Sequence, residues 1–294
     1  MYPEQFDYIR AESVGQALDL IEEHDDAELL AGGQSLIPAM KTGPARPDTV
    51  IDISRIDALS GITHDGDTTH IGANTTYAEV LKDETLRDSS EVLAETVSHI
   101  GDIQVRNKGT IGGNLAYSDP ASDRPAASLA ADSTIVVKSQ DGERRIDVDD
   151  FFKHDHQTDL EGDELLIRVE IPRQGPDIAS GYVKKVNPSS GYALIGVAAT
   201  LYTDGDTIES ARVAANGAMD HGVRLTAVEE TLAGASLDED TLADAASRAG
   251  DRLDMSMMMD NEQASSEFRI QLLEIYTERV LEKVGKRSGL YGMV

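Results

Sequence analysis

The sequence contains no cysteine and no tryptophan, and aromatic residues make up only 4% of its 294 residues. Without cysteine the chain can form no disulfide, hold no thiolate-ligated iron–sulfur cluster and offer no cysteine nucleophile. Redox chemistry on it would need an organic cofactor, or metals carried by another subunit. Cationic residues are also scarce: 26 Lys and Arg stand against 54 Asp and Glu, a formal net charge of −28. Such a chain lacks the cationic footprint that nucleic acid or anionic lipid requires, so neither is an expected partner. No run approaches the roughly 18 consecutive apolar residues of a membrane span. The segment Met1-Tyr2-Pro3-Glu4-Gln5-Phe6 has neither the basic nor the apolar region of a signal peptide, and the expected location is the cytoplasm. The acid is dispersed, as in Asp25-Asp26, Asp149-Asp150 and Asp238-Glu239-Asp240, with no single acidic tail. A surface of this kind stays soluble where salt screens its self-repulsion, which points to a halophilic protein.

What is present begins with a hydrophobic content of 40%, ordinary for a globular chain and sufficient for two or three domains. Two glycine-rich stretches stand out: Gly32-Gly33-Gln34-Ser35 and Thr110-Ile111-Gly112-Gly113-Asn114. Paired glycines allow φ > 0 and a close approach of the main chain to a ligand. Successive open N–H groups form a concavity suited to phosphate. Two such loops in one chain suggest two linked phosphates, hence a dinucleotide.

Hydrophobic periodicity places a capped helix over 13–24, a strand over 28–31 that runs into the first glycine loop, and a strand over 50–53. This is a β–α–β unit with its loop after a strand, but the spacing is not the G-x-G-x-x-G of a Rossmann fingerprint. A second region from about residue 57 carries strands at 70–73, 133–138 and 165–171 and helices at 76–81 and 91–100. After Pro172 a third region opens with strands near 182–186, 193–202 and 208–215. It closes with helices near 225–232, 240–252 and 262–284, the last with Phe268, Leu272, Ile275, Tyr276, Val280 and Val284 on one stripe. The expected organisation is α+β, in three parts: 1–56, 57–175 and 176–294.

The second glycine stretch belongs to a longer run, Gln104-Val105-Arg106-Asn107-Lys108-Gly109-Thr110-Ile111-Gly112-Gly113-Asn114-Leu115-Ala116, followed by Asp119-Pro120 and Asp123-Arg124-Pro125. With Ala31-Gly32-Gly33-Gln34-Ser35-Leu36 and the Phe6-Asp7-Tyr8 start, it resembles the FAD-binding medium subunit of molybdenum hydroxylases. That family includes aerobic carbon monoxide dehydrogenase and xanthine dehydrogenase. The resemblance covers essentially the whole chain. It implies a vanillyl-alcohol-oxidase-like (PCMH-type) FAD fold with a C-terminal α+β domain of the carbon monoxide dehydrogenase flavoprotein type.

By the same resemblance, the amides of Ala31, Gly32, Gly33, Gln34 and Ser35, with Leu36, and those of Thr110, Ile111, Gly112, Gly113 and Asn114 would hold the diphosphate. Asp123 would meet the sugar portion, Lys184 the flavin, Leu166 the cofactor through its backbone, and Tyr192 one ring face. Taken alone, Asp123 reads as a solvated loop acid, Lys184 as an exposed strand residue and Leu166 as core. The run Val186-Asn187-Pro188-Ser189-Ser190 lacks the arginine common before this tyrosine in the family, which leaves the electron acceptor open. The implied function is an oxidoreductase subunit. It would relay electrons from iron–sulfur clusters of a small subunit, fed by a molybdenum-cofactor large subunit, through FAD to a terminal acceptor. A free-standing flavin oxidoreductase of the same fold and a non-catalytic assembly module without flavin are the alternatives. His154 and His156 form an H-x-H pair with no further clustered metal ligand, and Met255–Met259 reads as packing or partner contact. No metal site and no catalytic side chain are expected on this chain.

Overall fold

The computed structural model describes residues 2–289. Three sheets organise the chain. The first part runs β1 (Asp7–Arg10), α1 (Val14–Glu23), β2 (Ala27–Leu30), α2 (Leu36–Thr42) and β3 (Thr49–Asp52), with the strands parallel in the order β1-β3-β2. Ser13 starts α1 by accepting the Gln16 amide at 3.1 Å, satisfying a donor that the helix itself leaves open.

The second part comprises β4 (Ile62–Asp65), β5 (Thr68–Gly72), α3 (Tyr77–Val80), α4 (Glu84–Ser89), α5 (Glu91–Ser98), α6 (Ile103–Arg106), α7 (Ile111–Tyr117) and α8 (Arg124–Ala130), then β6 (Thr134–Ser139), β7 (Gly142–Asp147), α9 (Val148–Phe151) and β8 (Leu165–Pro172). Its sheet is antiparallel in the order β4-β5-β8-β6-β7. The near-continuous apolar runs of β6 and β8 follow from burial on both faces. Val136, Leu165 and Ile167 pack with Ala17, Leu18 and Ile51 of the first part. Ile135, Val137, Leu166 and Val169 pack under the helices.

The third part holds β9 (Ile178–Val186), β10 (Ala193–Asp204), β11 (Thr207–Asn216), β12 (Val223–Arg224), α10 (Thr226–Leu232), α11 (Glu239–Ala246) and α12 (Ser266–Arg287). Its antiparallel sheet has the order β12-β11-β10-β9. Strand periodicity divides β10 between two neighbours. Ile195, Val197, Ala199 and Leu201 join the core beneath α10–α12. Ala198 faces the helical layer of the second part, and the Thr200 hydroxyl donates to the Ala130 carbonyl at 2.8 Å.

The long helices differ from expectation at their ends. α12 begins at Ser266 because Asn261 folds the preceding chain into a turn, its Oδ1 accepting the amides of Gln263 and Ala264, and Ser265 then caps the helix. Phe268 and Ile275 are exposed, so the buried stripe consists of Leu272, Leu273, Tyr276, Val280, Leu281 and Val284.

An ion-pair clamp joins the second and third parts. Glu95 of α5 accepts from Lys283 and from Arg287 (2.9 Å) of α12, and from the Tyr182 amide of β9 at 3.0 Å. Burial alone would raise the Glu95 carboxyl, but the hydrogen bonds from Arg287, Lys283 and the Tyr182 amide outweigh it and hold the group below its ordinary 4.5. A depressed carboxylate contributes stability that is present above its unfolded value and lost as pH falls through the folded one. Replacing Glu95→Gln is therefore expected to lower stability at neutral pH and to flatten the loss of unfolding free energy below about pH 4.5, as read from urea titrations at stepped pH.

Candidate cofactor-binding site

β2 delivers the chain into Ala31–Ser35, and α2 begins at Leu36. Gly33 sits at φ 68, where a side chain would be strained. The amides of Gly32, Gly33, Gln34, Ser35 and Leu36 have no acceptor among the described residues. The amides of this segment are open, as the glycines suggested.

The second glycine stretch is built differently, and the expectation of open amides there is corrected. Gly112 and Gly113 lie in the first turn of α7, and neither takes a positive φ. The Ile111 amide donates to the Thr75 carbonyl at 3.0 Å and the Gly112 amide to the Ala73 carbonyl at 2.8 Å. Gly113 donates to Thr110 Oγ1 at 3.2 Å, the helix cap, and Asn114 to the Thr110 carbonyl at 3.2 Å. Glycine is needed here for close packing. A Cβ on Gly112 would stand 2.5 Å from Ala73 Cβ and 2.8 Å from its Cα.

The two stretches touch. A Cβ on Gly32 would overlap the Lys108 carbonyl oxygen and lie 2.8 Å from its carbon, and one on Gly113 would lie 3.5 Å from Ala31 Cβ. Along their junction runs a cavity of about 780 Å³, within the roughly 300–1,000 Å³ of small-molecule and cofactor sites. Ala31, Gly32, Gly33, Gln34, Ser35, Leu36, Thr110, Gly112, Gly113, Asn114, Asp123, Leu166 and Tyr192 all line it. Ile111 and Lys184 are not in its wall. Ile111 is fully buried in the core beneath α7.

Asp123 is 4% exposed, so the reading of it as a solvated loop acid does not hold. The Tyr182 hydroxyl donates to one carboxylate oxygen and Lys184 Nζ to the other at 2.8 Å. Lys184 is no exposed strand residue either. Its ammonium is enclosed by Asp123, the His99 carbonyl (2.9 Å) and the Gly191 carbonyl (3.1 Å). It thus ties three segments of the cavity rim together. Burial pushes the Asp123 carboxyl above its ordinary range, with Lys184 and Tyr182 opposing that shift. Burial also raises the Tyr192 phenol to about 12, so it stays neutral throughout the physiological range.

Among the wall residues that sequence reasoning did not assign to the site, Asn74 and His156 stand out. Asn74, in the turn after β5, donates from Nδ2 to the Ile53 carbonyl at 2.7 Å, while its buried Oδ1 has no partner. A buried acceptor left open in a cavity wall suits a ligand hydroxyl. The signal was a lone amide in the otherwise small-residue Gly72-Ala73-Asn74 turn. His156, at φ 65, packs edge-on against Tyr117 with ring centroids 5.1 Å apart, and both line the cavity. No group of three or more metal-ligating side chains occurs among the described residues.

Next to Asp123, Arg124 is fully buried, with Ser128 Oγ at 3.4 Å as its partner and no carboxylate. Burial lowers its pKa to about 10. A buried charge without a counter-ion is costly. Arg124→Met is expected to raise unfolding free energy by about 1–4 kcal/mol, the range for replacing buried charges by packed apolar side chains, measured by denaturant titration.

Residues 4–174 match the family described as the FAD binding domain in molybdopterin dehydrogenase, and residues 182–284 the CO dehydrogenase flavoprotein C-terminal domain. The chain belongs to the FAD-binding medium subunits of the molybdenum hydroxylases. The glyceraldehyde dehydrogenase medium chain of Sulfolobus acidocaldarius is 35% identical over 288 residues, spanning 97% of this chain and 100% of that one. The carbon monoxide dehydrogenase medium chain of Hydrogenophaga pseudoflava is 34% identical over 250 residues, 85% of this chain and 87% of that one. A solved structure of carbon monoxide dehydrogenase from Hydrogenophaga pseudoflava, lacking the Mo-pyranopterin moiety of its cofactor, superposes with a TM-score of 0.92 at 31% identity. That superposition covers 98% of this chain and 99% of the other.

The expected fold class is the observed one, a PCMH-type FAD-binding fold with an α+β C-terminal domain. The medium subunit's residues suit FAD chemically. Open amides at Gly32–Leu36 match an anionic diphosphate, the unpaired Asn74 oxygen matches a sugar or ribityl hydroxyl, and the apolar wall at Leu29, Val105 and Leu166 matches planar ring systems. No helix is long and apolar enough to cross a membrane among the described residues.

Proposed function

We propose that this medium subunit relays electrons within a complex. They would arrive from iron–sulfur clusters on a small subunit, supplied by a molybdenum-cofactor large subunit, and leave through FAD to a terminal acceptor. The observation that carries this reading is the cavity shared by the two glycine segments in a chain without cysteine. The site can hold a flavin dinucleotide, while the clusters must reside elsewhere. FAD supplies the step between one-electron and two-electron carriers. The chain's own contribution is binding and orientation. Gly32–Leu36 would bind the diphosphate through their amides, with Thr110 and Gly112–Asn114 forming the opposite wall. Asn74 would accept from a hydroxyl of the cofactor, and Asp123 would do the same through a lone pair not used by Tyr182 or Lys184. Leu166 would provide apolar contact and Tyr192 a cover over one ring face. Lys184 and Ile111 would act behind the wall, Lys184 by fixing Asp123 and the rim.

The parts 1–56 and 57–175 would together grip the flavin, with 176–294 closing over it. Co-purification decides between this relay and a free-standing flavin oxidoreductase. The relay predicts that a cysteine-rich small subunit and a molybdenum-bearing large subunit elute with the chain. It also predicts that substrate bleaches the flavin only in their presence. A yellow isolated chain that turns over a small substrate by itself would contradict it.

The charge of −28 further supports placement in a cytoplasm of high salt. Screening relieves carboxylate repulsion, so the thermal midpoint is expected to climb steadily between about 0.1 and 2 M potassium chloride, read by circular dichroism. A flat or falling midpoint would exclude halophilic adaptation.

A further inference from the structure

A second cavity, of about 190 Å³, shares Ser190 and Tyr192 with the first. Its wall includes Asn187, Asn261, Gln263 and Arg269. Arg269, in the first turn of α12, is 2% exposed. Its Nη1 donates to the carbonyls of Leu194 (2.7 Å) and Gly217 (2.6 Å), and its Nη2 to Asn261 Oδ1 at 3.1 Å. These are neutral acceptors, and they use three of the five N–H groups of a guanidinium. Nε is buried without an acceptor. In a chain with 54 acidic and 26 basic residues, this arginine forms no ion pair among the described residues.

The amides around it are oriented the same way. Asn187 Oδ1 accepts the Ser189 amide at 2.9 Å, and Gln263 Oε1 accepts Asn187 Nδ2 at 2.6 Å. Asn261 Oδ1 accepts Arg269 and the Gln263 and Ala264 amides. Every side-chain amide oxygen in the wall is thus engaged, while Gln263 Nε2 and Asn261 Nδ2 retain donors. A lining with its amide oxygens engaged, its amide donors free and a buried cation that has no ion-pair partner, only the more distant field of Asp260, is chemically an anion site. Asp119, the one carboxylate in the wall, has its Oδ1 committed to the Ala121 amide at 2.9 Å. Its charge disfavours a dianion, and the small volume excludes a large one.

We propose that this cavity binds a small monovalent anion of the halide class, chloride in a saline cell, on the free N–H groups of Arg269 and its amide neighbours. The bound anion compensates the buried guanidinium and steadies the Asn187–Gln263 tether. Asn187 also closes the loop that carries Tyr192, accepting the Gly191 amide at 2.9 Å and donating its own amide to the Tyr192 carbonyl at 2.8 Å. Any consequence for the flavin rests on the relay reading above; anion binding itself does not.

The test uses the full chain and two probes. Crystals soaked in sodium bromide are examined for anomalous scattering. Thermal unfolding is compared in sodium chloride and sodium gluconate at equal ionic strength, for the natural chain and for Gln263→Glu. That variant keeps the acceptor for Asn187 and adds a carboxylate to the wall that Arg269 shares. A bromide peak in contact with Arg269 is expected, with a midpoint several degrees higher in chloride than in gluconate, and this difference is expected to vanish in Gln263→Glu. No peak would overturn the proposal, and so would a peak elsewhere. A peak with equal midpoints in the two salts would mean an adventitious ion only. A chloride effect that survives in a folded Gln263→Glu would also overturn it. Should that variant fail to fold, the bromide position and the salt comparison on the natural chain decide.

Discussion

Gly32→Ala is expected to abolish FAD retention. A methyl group there overlaps the Lys108 carbonyl oxygen and crowds Gly109 Cα at 3.1 Å. These are main-chain atoms that cannot rotate away, so the two cavity walls must part. Overpacking of this kind costs about 1–3 kcal/mol even where side chains can adjust. Here the displacement also misplaces the open amides that would hold the diphosphate. A loss of at least about 100-fold in FAD affinity is expected, equivalent to roughly 3 kcal/mol, visible as colourless purified protein and in equilibrium titration. Gly113→Ala provides the contrast. Its methyl would meet Thr110 Oγ1 at 2.7 Å, a side-chain atom that can swing aside for the loss of one helix cap, worth ~1 kcal/mol. Equal flavin content in Gly32→Ala and the natural chain would show that the junction of the loops is not what holds the cofactor.

Asp123→Ala is expected to be strongly destabilising as well as to weaken FAD. Removing the carboxylate leaves the 3%-exposed Lys184 side chain without its counter-ion and the Tyr182 hydroxyl without its acceptor. Breaking one side of a buried pair costs about 3–5 kcal/mol. Removing both charges, as in Asp123→Ala with Lys184→Met, should restore much of that loss, because no uncompensated charge then remains. Urea unfolding of the two single variants and the double variant measures the coupling. Additive effects would mean that the pair does not act as a unit.

The long elements were legible because their periodicity is strong: α1, β6, β8, β10 and α12 each carry an apolar pattern over several residues. The short helices α2, α7 and α8 were not, because seven-residue segments rich in Gly, Pro and Ala take their helicity from tertiary packing. That is why Gly112 and Gly113 read as an open bend although their amides are already engaged. The two glycine segments and Asp123, legible in the sequence, do line one cavity. The chemistry of the site was less legible. Whether Asp123 meets solvent or Lys184 depends on β9 lying beside the start of α8, a contact between residues 61 apart in sequence. Asn74 carried only a faint signal for a related reason: a lone amide in a small-residue turn becomes informative once burial leaves its oxygen unpaired.

A crystal structure of the chain grown with FAD tests the central claim most directly. The diphosphate should accept hydrogen bonds from amides within Gly32–Leu36 and rest against the α-carbons of Gly112 and Gly113, with the isoalloxazine extending toward Tyr192. A diphosphate bound away from those amides, or an unchanged cavity in protein saturated with FAD, would contradict it.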